Sequence, residues 1–197
     1  LIVYGVLLMY MTINGNNGQP LSGLDQSVKN FVTGSVVSVG KVPIPNYVWY
    51  ACVVVAFMWF MWNKTTFGKN MFAVGSNPEA ANVSGVNVAR TMIQVHTLAG
   101  CLYGITGFIE SARISSNQAN TGLNYELDAI AACVIGGVSF VGGTGKISGV
   151  VMGVFILRII FVALNFLSIN QNMQYVIKGL IILIACAIDM KKYLVRK

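Results

Sequence analysis

Six apolar blocks, separated by polar stretches, divide the chain. They lie at residues 1–13, 44–62, 91–109, 127–141, 147–167 and 173–188. An α-helix needs about 20 apolar residues to cross the hydrocarbon core of a bilayer. Three blocks come close to that length, the first looks like the end of a span, and the block at 127–141 is short for a crossing. The pattern therefore predicts an all-α transmembrane helical bundle of about six membrane segments, some of them short or broken.

Composition supports a membrane protein and the charge distribution suggests its orientation. The chain is 55% hydrophobic and 10% charged, whereas a soluble domain carries about 25% charged residues. Basic residues flank the polar stretch at 63–90 and fill the tail: Lys64, Lys69, Arg90, Lys191, Lys192, Arg196 and Lys197. Such residues favour the cytoplasmic side. Placing both stretches there requires an even number of crossings between them, so we expect residues 127–141 to cross, as an intact or a broken segment.

Several function classes are disfavoured by the sequence. The net charge of +7 forms no basic face interleaved with aromatic residues, which disfavours nucleic-acid binding. The four cysteines are far apart and His96 is the single histidine, so we expect no metal site. We also expect no cofactor and no catalytic residues in this chain. Because Leu1 already lies in an apolar run, we expect residues 1–197 to be the C-terminal part of a longer membrane domain.

Charged and small residues inside the apolar blocks predict local contacts. Glu110 and Arg113 are three residues apart and are expected to pair on one helical turn. Arg158 is near the middle of a block, where it faces a pore or pairs with a carboxylate; the sequence leaves both open. Gly145, Gly149 and Gly153 recur every four residues, a spacing typical of close helix packing in membranes.

The polar stretch contains a short helix signal, "SNPEAANVSG" at 76–85. Ser76 or Asn77 suits the N-cap, Pro78 the first turn, and Glu79 the positive end of the helix dipole. Gly85 is suited to end the helix. About two turns are too short to be stable alone in water. The small alanines indicate a helix that fits a groove on a partner; the alternative is a surface helix that packs on its own protein only.

A longer stretch around this signal resembles a known family. "NKTTFGKNMFAVGSNPEAANVSGVNV" (63–88) is similar to the coupling-loop region of permease subunits in bacterial ATP-binding cassette (ABC) sugar importers, in their ribose, xylose and galactose branch. The matching positions are Thr66 (or Thr65), Gly68, Ala73, Gly75, Asn77, Pro78, Glu79, Ala80, Ala81, Ser84 and Gly85. Residues 125–154 and 174–189 are similar to two further stretches of the family. The resemblance covers essentially the whole chain and looks closest to the galactose/methyl-galactoside type, with a ribose or xylose type as the alternative.

The resemblance implies a division of labour between subunits. Two permease copies would form a pore in the inner membrane, two ATP-binding subunits would sit on the cytoplasmic side, and a periplasmic sugar-binding protein would dock outside. The 63–90 loop would carry the coupling helix, with Asn77, Pro78, Glu79, Ala80, Ala81, Ser84 and Gly85. ATP hydrolysis would belong to the partner. In agreement, "GGTGKIS" (142–148) is not a Walker A motif, because Phe140 stands where the first glycine belongs and Ile147 follows Lys146.

A sugar pathway needs partners for hydroxyl groups and a face on which a ring can stack. The candidates are Tyr103, Asn124, Tyr125 and Asn165. Two other classes compete with the importer. An ion-coupled secondary transporter would need embedded carboxylates or histidines facing one cavity and no motor, and a structural membrane anchor would not need so many glycine-rich, broken segments.

Overall fold

The computed structural model describes residues 2–14, 19–39 and 42–195. These ranges contain nine helices and four short strands. The helices are α1 (Ile2–Ile13), α2 (Gln26–Thr33), α3 (Asn46–Lys64), α4 (Thr66–Ser76), α5 (Pro78–Val83), α6 (Val88–Ile114), α7 (Tyr125–Ile135), α8 (Ile147–Phe166) and α9 (Gln171–Val195). The strands are β1 (Leu21–Ser22), β2 (Val37–Val39), β3 (Val42–Ile44) and β4 (Ser116–Asn117). The predicted all-α architecture is confirmed. The basic residues Arg196 and Lys197 of the tail lie outside the described residues.

Among the described residues, three helices are long and apolar enough to cross a membrane. They are α6, α8 and the Gln171–Lys191 part of α9. α3 is 19 residues long, which corresponds to roughly 28 Å, but it is not one of the three. It contains Trp49, Trp59 and Trp62, which are less apolar than aliphatic residues and are typical of membrane interfaces. The crossing predicted for residues 44–62 therefore stays a prediction.

The block at 127–141 is not one continuous helix. α7 has 11 residues and is roughly 16 Å long, about half of the hydrocarbon thickness of about 30 Å. The last residue of α7 is Ile135, and Gly137, two residues later, has a φ of +83°. There the Gly137 amide donates to Val134 O and the Val138 amide to Cys133 O, both at 2.9 Å. This Schellman motif stops the helix, so the second half of the block is a turn and its crossing stays a prediction.

The chain separates into two compact units, and the first comprises Leu1–Ala56 and His96–Leu123. Here β1 pairs with β4 and β2 with β3, all antiparallel. α2 packs on the start of α3: the rings of Phe31 and Tyr50 stack with centroids 5.4 Å apart, and the Tyr50 hydroxyl donates to Phe31 O at 2.9 Å. Val32 is fully buried.

The second unit comprises Phe57–Val95 and Asn124–Lys197. Its core is formed by Ala131 and Ala132 of α7 and Leu157 of α8, with Ile182 of α9 packed against them. α7 and α8 approach closely at glycines: a Cβ added to Gly149 would overlap Gly136 O, and one added to Gly153 would overlap Ala132 O. The packing predicted for Gly149 and Gly153 is confirmed, because only the absence of a side chain lets the two backbones touch.

Candidate functional site

The polar 63–90 loop contains two helices, and the first, α4, was not predicted from the sequence. The chain turns at Thr65, whose Oγ1 accepts the Gly68 amide at 3.2 Å and so caps α4. Gly68 is buried, and a Cβ there would overlap Trp62 O and lie 2.7 Å from Met61 O. The corner between α3 and α4 therefore requires glycine. The rings of Trp62 and Phe72 meet edge to face at 5.6 Å and join the two helices.

The second helix, α5, is capped at its N-terminus as the sequence predicts. Asn77 is the N-cap, and its side-chain oxygen accepts the Ala80 amide at 3.1 Å. Pro78 occupies the first turn, where a missing N–H costs no hydrogen bond. Glu79 lies in the same turn and complements the partial positive charge of the helix end.

The C-terminus of α5 closes with a second Schellman motif. The Gly85 amide donates to Asn82 O and the Val86 amide to Ala81 O, both at 3.0 Å. Gly85 has a φ of +83°, a conformation that glycine adopts without strain. The prediction that Gly85 terminates the helix is confirmed. The last helical residue is Val83, Ser84 is the C-cap, and Gly85 is the residue that follows the cap. Ser84 Oγ also donates to Ala80 O at 2.8 Å.

The two faces of α5 differ sharply in exposure. Ala81 is 4% exposed and is the buried residue of this helix. Val83 is 91% exposed, the largest value among the exposed large apolar side chains of the described residues. The expectation that the alanines together face a partner is therefore wrong for Ala81, because its methyl group packs inside this chain. The open side carries Glu79, Ala80 and Val83.

Val83 was missed because a single valine in a polar stretch predicts no particular exposure. An open groove of about 590 Å³ lies beside α5 and is lined by residues of α5, of the following turn and of the start of α6, among them Pro78, Asn82, Val86 and Val88. The exposed Val83 side chain and the groove together define the open side of α5.

The structure describes each of the four residues that were predicted to line a sugar pathway. Tyr103 belongs to the first unit and is 75% exposed. In the second unit, Asn124 precedes α7 with a φ of +67°, and Tyr125 begins that helix and is 46% exposed. Asn165 accepts the side-chain amide of Gln174 at 2.9 Å and so joins the end of α8 to α9. Asn165 thus already has a protein partner, and a role in a sugar pathway stays a prediction for all four.

The charged residues in the helices pair as follows. Glu110 and Arg113 form the predicted pair, with Nε and Nη2 of the arginine donating at 2.8 and 2.7 Å. Lys178 of α9 reaches Asp128 of α7, with Nζ and Oδ1 2.5 Å apart. The Lys178 ammonium also lies 4.9 Å from the centre of the Phe161 ring, a cation–π distance. Arg158 is exposed on α8 and belongs to neither ion pair of the described residues.

The family assignment comes from comparison with known proteins. Residues 1–186 match the model of a family described as "Branched-chain amino acid transport system / permease component". The chain belongs to this permease family. It is 47% identical to the galactose/methyl galactoside import permease protein MglC of Salmonella typhimurium. The match covers all 197 residues of this chain and 58% of MglC.

Permeases named for other sugars are also similar to this chain. The L-arabinose transport system permease protein AraH of Escherichia coli is 45% identical over 150 residues, which are 76% of this permease and 45% of AraH. The ribose import permease protein RbsC of Bacillus subtilis is 37% identical over 182 residues, which are 92% of this permease and 56% of RbsC. The chain thus spans about half the length of the curated relatives it matches. No solved structure matches it.

Proposed function

We propose that this chain is part of the membrane-spanning permease subunit of an ABC importer that carries galactose and methyl galactoside. The observation that carries the proposal is the 47% identity over the whole chain to permeases named for these sugars, against 37% for the ribose permease. A ribose- or xylose-type permease of the same family is the alternative. An ion-coupled transporter is disfavoured, because Asp128 is paired with Lys178 and the relatives are permeases of import systems.

In this proposal, α5 is the coupling helix and lies on the cytoplasmic side of the inner membrane. Its two caps hold six residues in helical form where propensity alone would not. Its open side offers Val83 and Glu79 to an ATP-binding subunit, which hydrolyses the ATP. The ATP-binding subunits bias the pore between two states only if their contacts with α5 differ between those states. A periplasmic sugar-binding protein and a second permease copy complete the assembly.

The proposal is tested by sugar uptake. Cells that lack this permease but keep the ATP-binding subunit and the binding protein receive the full-length gene, and uptake of labelled galactose, methyl galactoside and ribose is measured. We expect ATP-dependent uptake of the first two. Uptake of ribose alone would establish the alternative cargo, and no restored uptake would overturn the proposal.

The same cells test the role of α5. Val83→Asp places a charge on the open side of the helix, and we expect it to reduce uptake about tenfold or more, in the range typical of lost coupling between sites. Co-purification of the ATP-binding subunit should fall in parallel. Val36→Asp is the matched control, because Val36 is also highly exposed, at 83%, but lies in the other unit. Equal uptake by both variants would contradict the assignment of α5.

A further inference from the structure

The C-terminal end of α4 rests directly on the turn formed by residues 139–143 (the 139–143 turn). A Cβ added to Gly75 would lie 2.9 Å from Gly143 N, and one added to Gly142 would lie 2.5 Å from Gly75 O. A Cβ on Gly143 would overlap the Ser76 hydroxyl. Gly142 and Gly143 have φ values of +100° and +70°, which favour glycine. The backbone of α4 at Gly75 therefore touches the backbone of the 139–143 turn immediately before α5, with no flexible side chain between them.

Three hydrogen bonds form within the 139–143 turn and the residue that follows it, Thr144. The Ser139 amide donates to Thr144 O at 3.2 Å, and the Gly142 amide donates to Ser139 O at 3.3 Å. The Val141 amide donates to the Ser139 hydroxyl oxygen at 3.2 Å. These bonds satisfy several backbone groups within the turn and fix its conformation.

On its other side, the turn is bound to α9 by one carboxylate. Asp189 Oδ2 accepts the Ser139 hydroxyl at 2.8 Å and the Phe140 amide at 2.9 Å. Asp189 is about 50 residues away in sequence, so the contact is purely tertiary. Hydrogen bonds to an ionised acceptor are roughly twice as strong as neutral ones. Asp189 therefore joins the end of α9 firmly to the turn that supports α4.

The turn also connects α7 with α8, and these helices are joined to α9. It follows the Schellman motif at the end of α7 and precedes the first residue of α8, Ile147. α7 and α8 touch at Gly136 and Gly149, and α7 and α9 are paired through Asp128 and Lys178. Tightly packed elements with these contacts shift together rather than deform.

We propose that the 139–143 turn and Asp189 form the relay by which a displacement of α5 reaches α7, α8 and α9. The inference rests on the proposed function, in which α5 receives the force. Gly75, Gly143 and Asp189 are positioning residues in this mechanism: they touch neither ATP nor sugar, and they make the coupling loop and the end of α9 move as one body.

The test uses full-length permease reconstituted in liposomes with its ATP-binding subunit and binding protein. Gly143→Ala introduces a methyl group against Ser76, and Asp189→Asn removes the charge that holds the turn. Both variants are expected to retain the ATP-binding subunit and to hydrolyse ATP, while the sugar transported per ATP falls about tenfold, within the usual range of allosteric coupling. Normal transport per ATP in both variants would overturn the relay.

Two matched controls separate a relay from general damage. Gly179→Ala adds the same methyl group to α9 at a glycine with nothing within 4 Å. Glu126→Gln removes one charge from an exposed residue of α7. Both should transport normally. A loss in the controls equal to that in Gly143→Ala and Asp189→Asn would also overturn the relay.

A distance measurement tests the movement itself. Spin labels are attached to Lys69→Cys on α4 and Met190→Cys on α9, in full-length protein from which all native cysteines, including the four of residues 1–197, have been removed. In the assembled wild-type importer, the distance between the labels should be equal in the nucleotide-free and ATP-bound states. With Asp189→Asn it should change on ATP binding. A nucleotide-dependent distance without that substitution would show that the two ends move independently and would refute the proposal.

The outcomes also separate this inference from the proposed function. If α5 is not the coupling helix, Val83→Asp will transport normally and will still bind the ATP-binding subunit. If α5 is the coupling helix but the relay is wrong, Val83→Asp will fail while Gly143→Ala and Asp189→Asn transport normally.

Discussion

Two single residues determine where α5 begins and ends. The Asn77 side chain satisfies the Ala80 amide at the start, and Gly85 takes the left-handed conformation that lets the chain close over the end. A helix of six residues gains little from propagation, so each terminal hydrogen bond is a large part of its stability. The open side chain of Val83 has a fixed direction only because these caps hold.

Removing the N-cap should loosen α5 without changing the rest of the molecule. We expect Asn77→Ala to cost about 1 kcal/mol of local stability, because the Ala80 amide loses its acceptor. Hydrogen exchange of the full-length permease should then show faster exchange in α5 and an unchanged rate in α8.

Asn82→Ala is the control for this prediction. Asn82 lies inside the same helix and exposed to solvent, and alanine has a higher helix propensity than asparagine. Exchange in α5 should therefore be unchanged or slower. Faster exchange in this variant than in Asn77→Ala would show that the cap does not determine the stability of α5.

At the scale of elements, small residues decide how α7, α8 and α9 pack. Lipid is as apolar as the helix surfaces, so close approach and polar contacts hold such helices together instead of hydrophobic burial. α7 has both kinds of contact: backbone contact with α8 at Gly136 and Ala132 and the ion pair with Lys178. The 11 residues of α7 depend on these two contacts together with the small apolar core around Ala131 and Leu157.

Enlarging a glycine at the α7–α8 contact should separate the two helices. We expect Gly153→Val to destabilise the folded permease by about 1–3 kcal/mol or more, because the new side chain overlaps Ala132 O and the backbone must move. Thermal unfolding in detergent should occur at a lower temperature. Gly179→Val is the control, since a Cβ at Gly179 has nothing within 4 Å; an equal loss in both variants would mean that valine in a helix, and not the contact, is responsible.

At the scale of the whole molecule, the structure of the second unit places the 63–90 loop and the end of α9 on one side. Gly75 and Ser76 touch the 139–143 turn, and Asp189 near the end of α9 binds the same turn. The turn between α8 and α9 lies one helix length away, roughly 30 Å for the 20 residues of α8. This agrees with the even number of crossings that the basic residues predict.

Labelling of introduced cysteines should report this arrangement in cells. In protein without its native cysteines, Lys69→Cys and Lys191→Cys should be protected in intact cells from a maleimide that cannot cross the membrane, and should react once the membrane is opened. Leu167→Cys, between α8 and α9 and 70% exposed, should react in intact cells. Opposite behaviour of Lys69→Cys and Lys191→Cys would contradict the shared side.

The sequence by itself determined the properties that depend on neighbouring residues. Apolar block length predicted the long apolar helices α6, α8 and α9, the Asn77–Pro78 and Gly85 signals predicted a short capped helix, and the spacing of Glu110 and Arg113 predicted their pair. These features arise within one or two helical turns, where the hydrogen-bonding partners are known from spacing alone. The resemblance of the 63–88 stretch likewise used only consecutive residues.

Only the tertiary structure decided which side chains meet across long separations. Ala81 is buried and Val83 is exposed, a difference that the spacing of the alanines does not reveal. Gly142 and Gly143 have no role that the sequence predicts, and only the structure shows that they let two backbones touch. Asp189 stood at the end of an apolar block, and only the fold brings it to Ser139 and Phe140. Such contacts depend on the packing of whole helices, which local patterns do not determine.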